Sequence, residues 1–150
     1  MITFIGDYTC KLDDKGRVLL PAAFIKQMAG SMQEKFVLKK DIFESCLVLY
    51  PMNEWETFEK QLRSLPLTNK NARTFTRFFV AGAASCELDK QGRILVPQTL
   101  REFAGLTKEV VLTGNINRIE IWSKNKWSEN SNYDDMDSIA EGLEDLGITL

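Results

Sequence analysis

Apolar and polar residues alternate along Tyr8-Thr9-Cys10-Lys11-Leu12-Asp13, the period of two expected of a strand with one covered face. Ile2 to Tyr8 adds further strand signals around Gly6-Asp7. Asp14-Lys15-Gly16 then reads as a tight turn, with Gly16 supplying a positive φ. Val18-Leu19-Leu20 reads as the second, buried strand of a hairpin, stopped by Pro21. Pro21 also opens a short helix through Met28, closed at Ala29-Gly30-Ser31. Phe36 to Lys40 and Cys46 to Tyr50 are strand runs, the second ended by Pro51. Asn53 with Glu56 three positions on has the form of a capping box. Trp55, Phe58, Leu62 and Leu65 follow at helical spacing as far as Pro66. Asn69 or Asn71 caps a further helix, with Phe75, Phe78, Phe79 and Ala83 on one side and Arg73 and Arg77 on another. The three phenylalanines are expected in the core rather than on a partner-binding surface.

The pattern then runs a second time. Cys10-Lys11-Leu12-Asp13-Asp14-Lys15-Gly16-Arg17-Val18-Leu19-Leu20-Pro21 returns 76 positions on as Cys86-Glu87-Leu88-Asp89-Lys90-Gln91-Gly92-Arg93-Ile94-Leu95-Val96-Pro97. Pro97 opens a helix through Phe103, ended by Gly105; Val110-Val111-Leu112 and Ile119-Glu120-Ile121-Trp122 are strands. Trp127 answers Trp55 at an offset of 72, so the connections in the second copy are four residues shorter. Each copy reads as β-hairpin, short helix, two strands, helix. Residues 1–65 form the first repeat, 66–84 a linking helix, 85–128 the second repeat and 129–150 an acidic tail. The tail either holds a weak helix from Ser138 to Leu146 or stays mobile. Four short strands per half would leave bare sheet edges, which two halves close by pairing about a pseudo-two-fold axis.

The chain has 150 residues, 44% of them hydrophobic, and can bury a core. Its net charge of −2 hides an asymmetry. Every Lys and Arg lies at or before Lys126, and the seven acids beyond it leave the preceding residues at +5. Three cysteines with no close pair argue against a disulfide framework and a zinc knuckle; Cys10 and Cys86 read as small buried hydrophobes. The absence of histidine removes Cys-His and Ser-His nucleophile pairs and the commonest metal ligand. There is no apolar run of about 18 residues and no signal peptide at Met-Ile-Thr-Phe-Ile-Gly-Asp. The expected location is cytoplasmic, with no membrane partner.

The repeated turn carries the candidate chemistry. Lys15 and Arg17, and Lys90 and Arg93, sit at basic tips, and Gly16 and Gly92 let backbone N–H groups approach a phosphate. Arginine can read a guanine edge with two hydrogen bonds, and lysine acts as a point charge. Residues 11–17 sum to +1 and residues 87–93 to zero, so useful affinity needs several copies on an oligomer. A plainer reading has Asp13 and Asp89 capping their turns and pairing with Arg17 and Arg93. A catalytic carboxylate pair is disfavoured because the adjacent arginines hold both acids ionised. A third reading is a pure assembly module.

At these residues the chain resembles the MraZ family. The two Asp-x-x-x-Arg signatures stand as Asp13-Asp14-Lys15-Gly16-Arg17 and Asp89-Lys90-Gln91-Gly92-Arg93, and Arg73 to Ala83 resembles the segment preceding the second. The likeness covers about residues 1–127. It implies an α+β fold of two tandem pseudo-symmetric repeats, an AbrB-like swapped-hairpin β-barrel with short helices. It also implies a bacterial transcriptional regulator, repressor-like and nucleoid-associated, with no enzymatic activity and no cofactor. Such proteins form ring-shaped homo-oligomers and bind direct repeats in double-stranded DNA upstream of the division and cell-wall gene cluster. By position, the DNA-binding residues are Lys15, Gly16, Arg17, Lys90, Gly92 and Arg93, with Asp13 and Asp89 orienting the turns. The second turn departs in having Gln91 for Lys15 and Glu87 for Lys11. The rival reading is an AbrB-like antitoxin-type module that binds a separate toxin chain through the tail or a helix face.

Overall fold

The alternating head of each repeat does form a strand, but that strand pairs with the other repeat. In the computed structural model, which describes residues 2–28 and 35–148, the first half holds β1 (Asp7–Lys11), β2 (Arg17–Leu19), α1 (Ala22–Gln27), β3 (Lys35–Lys40), β4 (Leu47–Pro51) and α2 (Met52–Arg63). A helix α3 (Lys70–Val80) links it to β5 (Ala84–Glu87), β6 (Arg93–Leu95), α4 (Gln98–Ala104), β7 (Glu109–Asn115), β8 (Arg118–Ser123) and α5 (Lys124–Asn130). A short helix α6 (Met136–Gly142) and a 3-10 turn (Glu144–Leu146) follow. The helix end expected at Ala29-Gly30-Ser31 lies outside the described residues.

β1 runs antiparallel to β7, from Asp7↔Thr113 to Lys11↔Glu109. Reciprocally, β5 of the second half runs antiparallel to β3 of the first, from Lys35↔Glu87 to Leu38↔Ala84. The six-stranded sheet therefore reads β1-β7-β8-β4-β3-β5, with each end strand supplied by the opposite half. β2 and β6 form a separate two-stranded ribbon. This is an α+β fold of two exchanged repeats. The simple hairpin expected within each copy is corrected: β1 and β2 meet at one bridge, Leu12↔Val18. β1 instead pairs along its length with β7, and β2 with β6.

The core lies between the sheet and the ribbon. Phe36, Leu38, Leu47, Leu49, Leu112 and Ile121 are buried from the sheet, and Val18 and Ile94 from the ribbon. A fully buried side chain of this kind contributes about 1.5–3 kcal/mol. Leu19 was expected inside with its neighbours, yet it is 55% exposed. The ribbon has one face on the core, so its residues alternate and Leu19 falls on the outer face.

Helix starts depart from the local cap pattern at one place. β4 runs straight into α2 through Pro51, whose φ of −56° suits a helix start, so Asn53 lies inside the first turn and no side chain caps this helix. The capping box expected at Asn53 is therefore absent. Asn69 does cap α3, its side-chain oxygen accepting from the Ala72 N–H at 3.0 Å. α3 lies over α2 as an outer layer, with Phe79 stacked on Trp55 at 5.8 Å. Phe79 is buried, whereas Phe75 and Phe78 are exposed, which corrects the expectation of three core phenylalanines. A helix in an outer layer has one face to cover. In the acidic tail the expected helix forms two residues earlier, as α6, before the 3-10 turn. Among the described residues no helix is long and apolar enough to cross a membrane.

Candidate nucleic-acid interface

The two signature turns are built alike. Asp13 Oδ1 accepts from the Lys15 N–H at 3.0 Å and the Arg17 N–H at 2.8 Å, and Oδ2 accepts from Arg17 Nε at 2.8 Å. Asp89 accepts from the Gln91 and Arg93 N–H groups at 2.9 Å each and from Arg93 Nε at 2.8 Å. Gly16 and Gly92 take φ of 84° and 82°, a region that disfavours side chains. The short Asp side chain reaches the backbone two and four residues on and shapes the turn. The Arg17 backbone N–H, helped by the Arg17 side chain and the Lys15 N–H, holds the Asp13 carboxyl below its ordinary value against the opposing effect of burial. The Arg93 N–H does the same for Asp89. Both acids are carboxylates at neutral pH, and neither is placed to donate a proton.

The turns come together because the ribbon pairs Arg17↔Leu95, Val18↔Ile94 and Leu19↔Arg93. Val18 and Ile94 enter the core, so Arg17, Leu19, Arg93 and Leu95 share the opposite face. Each turn glycine also accepts a bond from the other half: Val96 N–H to the Gly16 carbonyl at 2.8 Å, and Leu20 N–H to the Gly92 carbonyl at 3.0 Å. Arg93 Nη1 reaches Asp13 Oδ2 across the pseudo-two-fold at 4.0 Å. Lys15 and Lys90 are exposed at the tips. All the expected site residues are thus brought to adjacent turns.

The pair is not symmetric in charge. Arg93 Nη2 donates to Gln91 Oε1 at 3.3 Å, a bond that Lys15 cannot provide for Arg17. The larger difference is Arg101 of α4, which reading the repeats did not single out. Its guanidinium lies over Gly16: a Cβ placed there would fall 2.6 Å from Arg101 Cζ and 3.0 Å from the Val96 carbonyl oxygen. The equivalent position over Gly92 is taken by Ile25 of α1, 3.5 Å from a Cβ built there. Ile25 and Arg101 stand 76 residues apart, so they are repeat partners of different chemistry. Extending the repeat comparison beyond Pro97 would have exposed this substitution, although not its place over the opposite turn.

The glycines should therefore respond unequally. Gly92→Ala is expected to cost about 1–2 kcal/mol, the strain of a left-handed residue. Gly16→Ala is expected to cost more, because the new methyl also meets the Val96 carbonyl and displaces Arg101. Urea unfolding of the two variants measures the order, and equal losses would count against the close seating of Arg101.

A family model described as "MraZ protein, putative antitoxin-like" matches residues 3–78 and again 79–146. A protein of Clostridium beijerinckii named "Transcriptional regulator MraZ" is 51% identical over 146 residues, covering 97% of this chain and 99% of its own. One of the same name from Halothermothrix orenii is 49% identical over 147 residues, with 97% and 99% covered. Among solved structures, "The solution structure of PHS018 from pyrococcus horikoshii" is 14% identical and covers 80% of this chain and 91% of that one. Its TM-score of 0.32 is too low to carry an argument.

Proposed function

The chain belongs to the MraZ family, and on that premise we propose that it is a sequence-specific, repressor-like transcriptional regulator that binds double-stranded DNA. The observation that carries this reading is the ribbon, whose outer face sets two Asp-clamped basic turns side by side. In this reading the exposed Lys15 and Lys90 contact phosphates and Arg17 and Arg93 reach for base edges, whereas Gly16 and Gly92, whose N–H groups donate to the Asp13 and Asp89 carbonyls at 3.0 Å each, shape the turns in place of the phosphate contact expected of them. Asp13 and Asp89 orient the two turns rather than touch the nucleic acid. Arg101 adds a third cation to the first turn, so that turn makes the stronger contact.

One ribbon carries few cations, and its aspartates offset part of their charge. Affinity then comes from several ribbons held in one assembly and laid along repeated sites. The proposed arrangement is a ring-shaped homo-oligomer on direct repeats upstream of the division and cell-wall gene cluster, located with the nucleoid in the cytoplasm.

Titration of the purified protein against the DNA immediately upstream of its gene tests this, with salt as the variable. Affinity should fall steeply as salt rises, because phosphate contacts release counterions. Arg101→Ala should weaken binding about 10-fold and lower the salt slope by about one. A flat salt response, or a stable complex with a separate protein chain in place of DNA, would overturn the proposal in favour of a protein-binding module of the antitoxin type.

A further inference from the structure

Two stretches outside the ribbon have opposite charge and bare apolar surface. Residues 60–83 carry five bases and no acid, and residues 127–150 carry seven acids and no base. The basic stretch runs from the end of α2 through α3. It frames an open groove of about 290 Å³ lined by Leu62, Leu65, Leu67, Arg73 and Arg77. Leu67 is 83% exposed at its rim. The acidic stretch includes α6 and the 3-10 turn. Tyr133, Met136 and Ile139 recur there every three residues, the spacing of one helical face, and all three are exposed.

In the first half, α3 follows α2 and covers it, with Phe79 meeting Trp55 and Phe58. In the second half, α6 follows α5, and its largest set of contacts is with the adjoining 3-10 turn. Trp127 of α5 meets Trp122 of β8. No residue of the arm is among those lining the basic groove, and Leu67 at its rim and Tyr133, Met136 and Ile139 of the arm are exposed.

We propose that the acidic C-terminal arm of one copy docks in the basic α2–α3 groove of the next copy. Tyr133, Met136 and Ile139 meet the leucines of the groove, and Asp137 and Glu141 face Lys70 and Arg77. Each chain then has one arm and one groove that do not satisfy each other. Such a head-to-tail contact is heterologous and closes into a ring when its rotation permits. The inference rests on the ring assembly proposed above and names the contact that builds it.

Two full-length charge variants test the contact, with mass measured by light scattering and folding by circular dichroism. The groove variant is Lys70→Glu with Arg77→Glu. Arg73 is spared because its Nη1 donates to the Leu67 carbonyl at 2.8 Å and shapes the groove. The arm variant is Asp137→Lys with Glu141→Lys. Each alone is expected to fall from the assembled mass to that of a monomer. An equimolar mixture is expected to regain the assembled mass, because reversed arms meet reversed grooves. If the arm variant keeps the full assembled mass, the docking is overturned and the ring reading stands. If the intact protein is monomeric at micromolar concentration, the ring reading itself fails. Loss of DNA binding by the groove variant at unchanged mass would overturn the docking and assign the bases of α3 to nucleic acid. Failure of the mixture to reassemble would overturn the pairing of these two surfaces.

Discussion

A chain carrying Arg17→Ala together with Arg93→Ala is expected to bind its upstream DNA at least about 100-fold more weakly, or about 2.7 kcal/mol. Its urea midpoint should stay close to that of the intact protein. The two expectations separate because Asp13 and Asp89 grip the turn backbone independently of the arginine side chains. Asp13 Oδ1 keeps the N–H groups of residues 15 and 17, and Asp89 Oδ1 keeps those of 91 and 93. What is lost is one partly exposed ion pair per turn and the longer Arg93–Asp13 contact between the turns, which stabilise little. The single variants should rank unequally, with Arg17→Ala the weaker binder. Arg17 shares its turn with Lys15 and Arg101, whereas Arg93 donates to Gln91 beside Ile25. Fluorescence anisotropy at one fixed salt concentration gives the ranking. Unchanged binding by a folded double variant of normal mass would remove both arginines from the interface.

The repeat was legible because Asp, Gly, Arg and Pro do local work that any position in the chain demands. Asp13 and Asp89 bind backbone two and four residues away, and Gly16 and Gly92 adopt a conformation that a side chain resists. Pro21 and Pro97 flank helix starts for the same local reason. The exchange of strands was not legible in the alternation itself. Tyr8-Thr9-Cys10-Lys11 presents the same period of two to β7 as it would to a hairpin partner, and the choice depends on residues a hundred positions away. Arg101 was hidden for a related reason. It lies outside the signature, and its role appears only when α4 is seated over the opposite turn. Asn53 shows local chemistry losing to connectivity, since β4 enters α2 before a cap can form. Phe75, Phe78 and Phe79 look equivalent by spacing, and only the order of the helical layers separates them.

That separation gives Phe79→Ala a large expected cost in stability, about 3–5 kcal/mol. Phe79 joins two layers. Its ring stacks on Trp55 at 5.8 Å and meets Phe58 at 5.7 Å and Phe75 at 5.5 Å. Its other neighbour is Lys39, a side chain 2% exposed whose Nζ lies 4.3 Å from the ring centroid. Burial depresses the Lys39 amine, an effect that Asp41 partly opposes, and Nζ donates to the Lys40 carbonyl at 2.6 Å. Removing the ring takes away a favourable partner of that ammonium and opens a cavity beneath α3. Phe78→Ala, on the exposed face of the same helix, should stay within about 0.5 kcal/mol. Urea unfolding compares the two, and a red shift of Trp55 emission should accompany the first alone. A loss below about 1 kcal/mol in Phe79→Ala would mean that α3 is not held on α2 through this ring. The basic groove at the α2–α3 junction depends on that hold, so Phe79→Ala should also lower assembly in proportion to the fraction of chains with α3 detached.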